Sequence, residues 1–258
     1  MPVNADGDAV DAPEEIDGPA LPVNETFYSL QGEGRLAGTP SVFVRTSGCN
    51  LRCWFCDSYH TSWEPTHAWM GVDRIVEEVL AHERADHVVL TGGEPLVHEA
   101  SVTLLESLAD HGYHTTVETN GTIYRDAPVD LASVSPKLAS STPTLERDPT
   151  GDGEWADRHE RRRIDVDALA SLVDQYDHQL KFVVTGPEDV AEIEELLARV
   201  RAAATAPVPD ETVLLMPEGQ TRDALDETRE VVAELALERG YGYTPRLHVD
   251  LWNDAPGT

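Results

Sequence analysis

The sequence predicts an α/β fold, a partial and open parallel βα barrel of about six strands. Short apolar runs of strand length alternate along the chain with amphipathic stretches of helix length. Each predicted strand is followed by polar or glycine-rich residues, and ligands of parallel sheets bind at the carboxyl ends of the strands. Because parallel strands are joined by right-handed crossovers, these ends are expected to surround one mouth. A chain of 258 residues suits a single domain with one core.

The first half of the chain contains four predicted strands and two predicted helices. The strands are short apolar runs at residues 42–45, 87–91, 114–118 and 132–135. Residues 72–84 have apolar side chains at the spacing of an amphipathic helix. Residues 101–111 form the second predicted helix, and Gly112 follows at the position where glycine commonly ends a helix.

The second half begins with a polar stretch, residues 140–163, that predicts a long loop. Further helices are predicted at 165–176, 187–204 and 222–239, and further strands at 179–185 and 212–216. Residues 247–252 are predicted to form a terminal strand or tail. Residues 1–21 are acidic and lack the basic and apolar regions of a signal peptide, so they are predicted to be a flexible tail. Residues 22–258 are then one domain.

The charge balance is strongly acidic, with 48 acidic against 19 basic residues and a formal net charge of −29. Such a chain repels nucleic acid, so direct binding of tRNA or DNA is not expected. The acid is spread along the whole chain, which favours adaptation to high intracellular salt and indicates a halophilic archaeon. Free cysteines, the missing targeting signal and the absence of a membrane-spanning apolar run predict a cytoplasmic protein.

All three cysteines of the chain, Cys49, Cys53 and Cys56, lie in one short segment with C-x3-C-x2-C spacing. No other cysteine remains to pair with them, which excludes a disulfide framework. Three thiolates can hold a metal centre. One possibility is a zinc site completed by His60 or His67. The other is an iron–sulfur cluster in which one iron has no protein ligand.

The cysteine motif, with an aromatic residue just before its last cysteine, resembles that of the radical S-adenosylmethionine (SAM) superfamily. Residues 91–95, Thr-Gly-Gly-Glu-Pro, follow the next predicted strand and resemble the motif that contacts the SAM amino group. The resemblance implies a 4Fe–4S cluster bound by Cys49, Cys53 and Cys56. It also implies that SAM chelates the open iron and is cleaved to methionine and a 5′-deoxyadenosyl radical.

Further segments are similar to the 7-carboxy-7-deazaguanine synthase family, and the similarity runs from about residue 23 to residue 252. The segments that carry it are residues 27–34 (FYSLQGEG), 43–45, 48–51, 56–58, 118–121, 135–138 and 181–184. The family consists of carbon–nitrogen lyases that convert 6-carboxy-5,6,7,8-tetrahydropterin to 7-carboxy-7-deazaguanine with release of ammonia. The product is a precursor of 7-deazapurines such as archaeosine and queuosine. The resemblance further implies a reductant such as flavodoxin or ferredoxin, and a homodimer.

The resemblance assigns two sets of contacts besides the cysteines. The residues implied to bind SAM are Phe55, Cys56, Asp57, Gly93, Glu94, Ser135, Pro136, Lys137, Met216, Pro217, Glu218 and Gly219. The residues implied to bind the substrate are Leu30, Gln31, Gly32, Glu33, Arg45 and Thr91. Arg45 is expected to pair with the substrate carboxylate, for which a guanidinium is the natural partner. The alternative is a structural ion pair at a strand edge.

Ser58 departs from the family pattern, which usually has threonine at this position. The threonine hydroxyl ligates Mg²⁺ in the family, and serine keeps that hydroxyl. The alternative is that Ser58 caps the next helical turn. Two other functions stay open: a different radical SAM enzyme, such as a glycyl-radical activase, and a non-enzymatic zinc or iron–sulfur binding module.

The net charge generates a first prediction. We expect the thermal unfolding midpoint and the activity to rise from low salt to molar potassium chloride, because the salt screens repulsion between carboxylates. Differential scanning fluorimetry across a potassium chloride series measures the midpoint. A midpoint that stays level or falls with salt contradicts the inference of a halophile.

Overall fold

The structure, a computed structural model, describes residues 2–4, 7–253 and 255. Within them it has nine strands: β1 Ala20–Leu30, β2 Pro40–Thr46, β3 Ala68–Gly71, β4 His87–Gly92, β5 His114–Thr119, β6 Leu131–Val134, β7 His178–Val184, β8 Val213–Pro217 and β9 Gly242–Tyr243. They form one open sheet in the order β3-β1-β2-β4-β5-β6-β7-β8-β9. The α/β class and the open sheet predicted from the sequence are confirmed.

Six neighbouring strands, β2, β4, β5, β6, β7 and β8, pair in parallel, as the sequence predicts. The short strand β9 adds a further parallel pair at one edge. At the other side β1 pairs antiparallel with both β2 and β3, so the sheet is mixed. The Phe27 and Phe43 rings stack across β1 and β2 with centroids 4.9 Å apart. These three additional strands extend the predicted parallel core and leave its order unchanged.

Eight helices connect and cover the strands in the described part of the chain: α1 Tyr59–Ser62, α2 Val72–Leu80, α3 Ala100–Asp110, α4 Ala156–Arg162, α5 Val166–Gln175, α6 Asp189–Ala203, α7 Arg222–Arg239 and α8 Leu247–Trp252. The Asp165 carboxylate begins α5 by accepting the Ala168 backbone N–H at 2.9 Å. Gly240 ends α7 in the left-handed conformation that favours glycine.

The core lies between the sheet and the helices α2, α3, α5, α6 and α7. Ile75, Leu104 and Leu197 pack from helices against strand residues such as Leu90 and Phe182, and all five are buried. This apolar layer fixes the strands and leaves their carboxyl ends free for polar loops.

Two elements differ from the sequence prediction. The predicted 140–163 loop contains the helix α4, whose His159 is buried among polar partners that local periodicity does not reveal. Residues 247–252 form α8, so the predicted terminal strand or tail is wrong. The segment LHVDLW has β-branched and aromatic residues, and its packing near the cavity rather than its propensity decides the helix.

The predicted N-terminal tail, residues 1–21, contains the first residues of β1, which therefore crosses the predicted domain boundary. Within this segment Val3 is buried beside Gly48 and forms an isolated antiparallel bridge with Ala9. Residues 1, 5, 6, 254 and 256–258 of the predicted tail and domain lie outside the described residues. No helix in the described part of the chain is long and apolar enough to cross a membrane.

Candidate active site

A cavity of about 490 Å³ opens at the carboxyl ends of the parallel strands. Its walls come from the loops that follow these strands, from the segment after β1 and from α8. All of the site residues predicted from the sequence line this cavity except Glu94, Pro136, Pro217 and Gly219. The fold therefore brings residues from distant motifs to one place, as expected for the carboxyl edge of a parallel sheet.

The cysteine loop is attached to the turn that follows β4. The Gly93 backbone N–H donates to the Thr46 carbonyl at 3.1 Å, and the Glu94 backbone N–H donates to the Gly48 carbonyl at 2.8 Å. A Cβ atom at Gly93 would lie only 2.3 Å from the Gly48 oxygen, so this position requires glycine. This close contact holds the loop between Gly48 and Cys56 over the strand ends.

The three thiols line the cavity; Cys49 and Cys53 are buried and Cys56 is half-buried. The Ser62 hydroxyl donates to the Cys56 sulfur at 3.1 Å, and the Leu51 backbone N–H donates to the Cys49 sulfur at 3.4 Å. Burial raises the pKa of Cys49 to about 12 and also raises the pKa of Cys53 and Cys56. The side chains are therefore thiols until a metal displaces their protons.

Glu94, predicted to contact SAM, turns its carboxylate away from the cavity and is fully buried. Its oxygens accept the Leu96 backbone N–H at 3.0 Å, the Asn120 backbone N–H at 2.6 Å and the Thr119 hydroxyl at 2.9 Å. Burial raises the pKa of Glu94 to about 7 despite these hydrogen bonds. The side chain joins the ends of β4 and β5, and only the backbone beside it reaches the cavity through Gly93.

A network of charges lines another part of the cavity, and all of its members except Asp57 have little exposed surface. The Glu33 carboxylate binds Lys181 on β7 and the Arg246 guanidinium, and Arg246 also binds Asp57. Arg246 donates a further hydrogen bond to the Gly219 carbonyl at 2.7 Å. Burial alone would raise the pKa of Glu33 and of Asp57, but the adjacent cations hold both below their usual range. Both carboxylates are therefore charged at neutral pH.

Arg45 lies in the cavity with two partners. Its Nε donates to Glu25 at 2.8 Å, and its Nη1 donates to the Ser58 hydroxyl at 2.9 Å. The sequence left open either a ligand for a carboxylate or a structural ion pair, and the geometry combines an ion pair with a cavity-lining guanidinium. Ser58 precedes α1, but its side chain makes no capping hydrogen bond. The capping alternative for Ser58 is therefore wrong, and the hydroxyl faces Arg45 and Asp57.

Glu118, at the end of β5, connects two of the residues predicted to bind substrate. It accepts the Thr91 hydroxyl at 2.7 Å and the Gln31 side-chain amide at 3.2 Å. On the neighbouring strand end, Lys137 donates to the Ser135 hydroxyl at 2.7 Å. Gln31, Thr91 and Glu118 thus form a hydrogen-bonded group on one side of the cavity, separate from the cysteines.

Comparison with known proteins agrees with this arrangement. The Radical SAM superfamily profile matches residues 43–232. A 7-carboxy-7-deazaguanine synthase of Halobacterium salinarum is 73% identical over 242 residues, which cover 94% of this chain and 94% of that protein.

The chain belongs to the 7-carboxy-7-deazaguanine synthase family.

A second synthase of this family, from Rhodopirellula baltica, is 40% identical over 93% of this chain and 89% of its own. The crystal structure of QueE from Escherichia coli superimposes with a TM-score of 0.61 at 25% identity, covering 89% of this chain and 95% of that one.

The family implies a 4Fe–4S cluster and SAM, and the cysteine loop fits such a cluster. Among the residues that the structure describes, no three His, Cys, Asp or Glu side chains converge on a position for a single metal ion. A zinc ion needs its thiolates about 2.3 Å from one point, whereas a cluster binds each thiolate through a separate iron. Three thiols that line one cavity, two of them buried and one half-buried, suit the second arrangement.

Arg246 and His248, from the C-terminal part of the chain, line the synthase cavity but were not predicted as site residues. Arg246 precedes α8 and His248 lies within it, in the segment predicted as a strand or tail. The sequence signal nearest to this wall was Lys181, one of only two lysines in the chain, in the family-like segment 181–184. Neither Arg246 nor His248 belongs to a motif with a recognisable spacing.

The buried carboxylate of Glu94 generates a second prediction. We expect Glu94→Gln to destabilise the cluster-free protein by about 1–3 kcal/mol, because the new amide N–H₂ would face a backbone N–H. Burial raises the pKa of Glu94 from 4.5 to about 7. The contribution of Glu94 to the free energy of unfolding is therefore complete below pH 4.5 and is lost as the pH rises through about 7. The difference in free energy of unfolding between wild type and Glu94→Gln should therefore become smaller as the pH rises.

Urea unfolding at pH 5 and pH 8, at one potassium chloride concentration, measures both effects. Glu106→Gln, an exposed carboxylate on α3, is the matched control and should change stability little at either pH. A Glu94→Gln protein as stable as wild type at pH 5, or a difference that grows with pH, would show that this assignment is wrong.

Proposed function

We propose that this chain converts 6-carboxy-5,6,7,8-tetrahydropterin to 7-carboxy-7-deazaguanine with loss of ammonia, as a radical SAM carbon–nitrogen lyase. The observation that supports this most directly is one cavity that holds three thiols together with an arginine and paired carboxylates. The 73% identity to a synthase over most of both chains supports the same reaction.

Cys49, Cys53 and Cys56 would hold the cluster, with SAM on its open iron. When bound, this pair supplies a 5′-deoxyadenosyl radical for hydrogen abstraction. The Gly93 turn offers backbone groups at close range, since no side chain intervenes. Ser135 and Lys137 present a hydroxyl and an ammonium on the neighbouring strand end, suited to the ribose and carboxylate of SAM.

Arg45 and Ser58 would orient the carboxylate of the substrate. The Arg45 guanidinium is held at one side by Glu25, which leaves its Nη1 directed at Ser58 in the cavity. A guanidinium that is fixed in this way binds a carboxylate with defined geometry. A glycyl-radical activase acts on a protein and has no small-molecule carboxylate to bind besides that of SAM, so Arg45 favours the synthase reaction over that alternative.

The pterin ring presents amide and amine N–H donors, for which carboxylates are suitable acceptors. Glu118 accepts two hydrogen bonds from Thr91 and Gln31 and retains further lone pairs toward the cavity. Glu33 is kept ionised by Lys181 and Arg246. The carboxylates would therefore hold the ring while the cations keep them charged in a buried site.

The reaction needs a one-electron reductant, and a flavodoxin or ferredoxin would serve. The product is a free small molecule, so the enzyme does not need to bind tRNA. This agrees with the net charge of −29, which opposes association with phosphate backbones.

Product formation tests the proposal. Protein reconstituted anaerobically with iron and sulfide should be brown and, with dithionite and SAM, should release 7-carboxy-7-deazaguanine from the carboxylated pterin, detected by mass spectrometry. Cys49→Ala, Cys53→Ala and Cys56→Ala should each abolish 5′-deoxyadenosine formation, because only three thiolates exist.

Circular dichroism of the three variants shows whether the fold survives the substitution. Full activity in any one of them would rule out the radical mechanism. Colourless protein that binds zinc instead of iron would support the binding-module alternative.

We also propose that Ser58 ligates Mg²⁺ beside the substrate. Turnover should then rise with magnesium in wild type, and Ser58→Ala should lose this response while its iron content stays unchanged. The hydroxyl makes no capping hydrogen bond, so Ser58→Ala should not lose the stability that an N-cap contributes.

Ser58→Thr is the matched control, because it keeps the hydroxyl and should keep the magnesium response. Magnesium titrations of turnover on the three proteins provide the comparison. If Ser58→Ala responds to magnesium as wild type does, Ser58 is not a metal ligand.

A further inference from the structure

Arg52 lies between Cys49 and Cys53 and is almost completely buried, with 3% of its surface exposed. Its Nη1 donates to the carbonyls of Cys49 and Leu51, both at 2.7 Å. The side chain thus folds back under its own loop. These two hydrogen bonds fix the peptide units that place the Cys49 thiol and the Leu51 N–H directed at it.

The segment 140–163 holds Arg52 in this position. The Trp155 ring, at the start of α4, lies 4.2 Å from the Arg52 Cζ. His159 is fully buried, and its Nδ1 accepts the Arg52 backbone N–H at 3.2 Å. Its Nε2 lies 2.9 Å from the Ser141 hydroxyl, which donates to the Leu138 carbonyl. The Nδ1 contact requires the proton on Nε2. His159 therefore holds the cysteine loop by one hydrogen bond, to the Arg52 N–H, and is itself held in the 140–163 segment by Ser141.

The Arg52 guanidinium is bonded to the loop that carries the thiols, through the Cys49 and Leu51 carbonyls. Stacking on the Trp155 indole ring favours a guanidinium that keeps its charge. A fixed and buried positive charge therefore lies against the cysteine loop, where the dielectric is low.

Reduction of a thiolate-bound cluster adds one negative charge. A fixed cation next to the ligands stabilises the reduced form more than the oxidised form and raises the reduction potential. We infer that Arg52, held by Trp155 and His159, is a positioning residue that fixes the cysteine loop and raises the reduction potential of the cluster. This inference rests on the proposed function, because it requires that the three cysteines bind a cluster.

The test measures the midpoint potential of the reconstituted protein by a redox titration followed by electron paramagnetic resonance, without substrate. Arg52→Gln removes the charge, and we expect the equilibrium constant for reduction to fall about tenfold, which is a shift of about −59 mV for one electron. Arg158→Gln is the matched control, because Arg158 lies over the same Trp155 ring at 4.6 Å and its loss changes the net charge equally. It should shift the potential by less than a third as much.

Salt separates the two variants further. Molar potassium chloride should abolish the small shift of Arg158→Gln, because Arg158 is only half-buried, and should leave most of the Arg52→Gln shift. Arg52→Lys keeps the charge and should stay close to the wild-type potential. His159→Gln should reduce iron uptake and alter the resonance line shape, because the imidazole that accepts the Arg52 backbone N–H is lost.

An Arg52→Gln potential equal to wild type, or equal shifts in Arg52→Gln and Arg158→Gln, overturns the inference. If Arg52→Gln takes up no iron, the potential of Trp155→Leu is measured instead. This variant keeps the Arg52 charge but removes the ring that holds the guanidinium. A lower potential then supports the inference, and an unchanged potential overturns it. A wild-type protein that binds no cluster would refute the proposed function instead, so the two failures are distinguishable.

Discussion

Glu94 and its turn join three parts of the protein that lie far apart in the sequence. The Glu94 backbone holds the cysteine loop through Gly48, and its carboxylate holds the end of β5 through Thr119 and Asn120. This crossing is possible only because Gly93 has no side chain. The sheet brings the ends of the parallel strands to one edge. The Glu94 turn then attaches the cysteine loop and the end of β5 to that edge. The hydrogen bonds replace the water that the buried carboxylate has lost.

The balance of acidic and basic residues differs between the chain as a whole and the cavity. The chain has 48 acidic and 19 basic residues. Four of the scarce cations nevertheless line the cavity, namely Arg45, Lys137, Lys181 and Arg246. Their positions follow from burial, because a carboxylate such as Glu33 remains ionised inside a protein only beside a cation. Five carboxylates line the same cavity, those of Glu25, Glu33, Asp57, Glu118 and Glu218, so its charges nearly balance while the chain as a whole is strongly acidic.

The parallel core could be predicted because its strands and helices have distinct apolar periods. The motif residues around the cavity could be predicted because they follow those strands directly. The antiparallel strands β1 and β3 were missed, because the first residues of β1 were predicted to be part of an acidic tail and β3 has only four residues. Arg246 and His248 were missed because only tertiary packing brings α8 to the cavity. The direction of the Glu94 side chain depends on partners beyond β4, such as Asn120, which no local pattern reveals.

The cavity wall that joins residues 32–34 to residues 244–247 affects the order in which parts of the site can fold during translation. The Gly34 N–H donates to the Thr244 hydroxyl across 210 positions of sequence, and the Leu247 N–H donates to the Gly32 carbonyl. Domains form as the chain emerges from its N-terminus. Most partners of the cysteine loop lie between residues 46 and 159, so most of its contacts can form in the nascent chain, although the Phe55 carbonyl also accepts the Gln220 side-chain amide. The pocket for a small molecule is complete only once residues 244–248 have been translated, so cluster-loop assembly can precede substrate-site assembly.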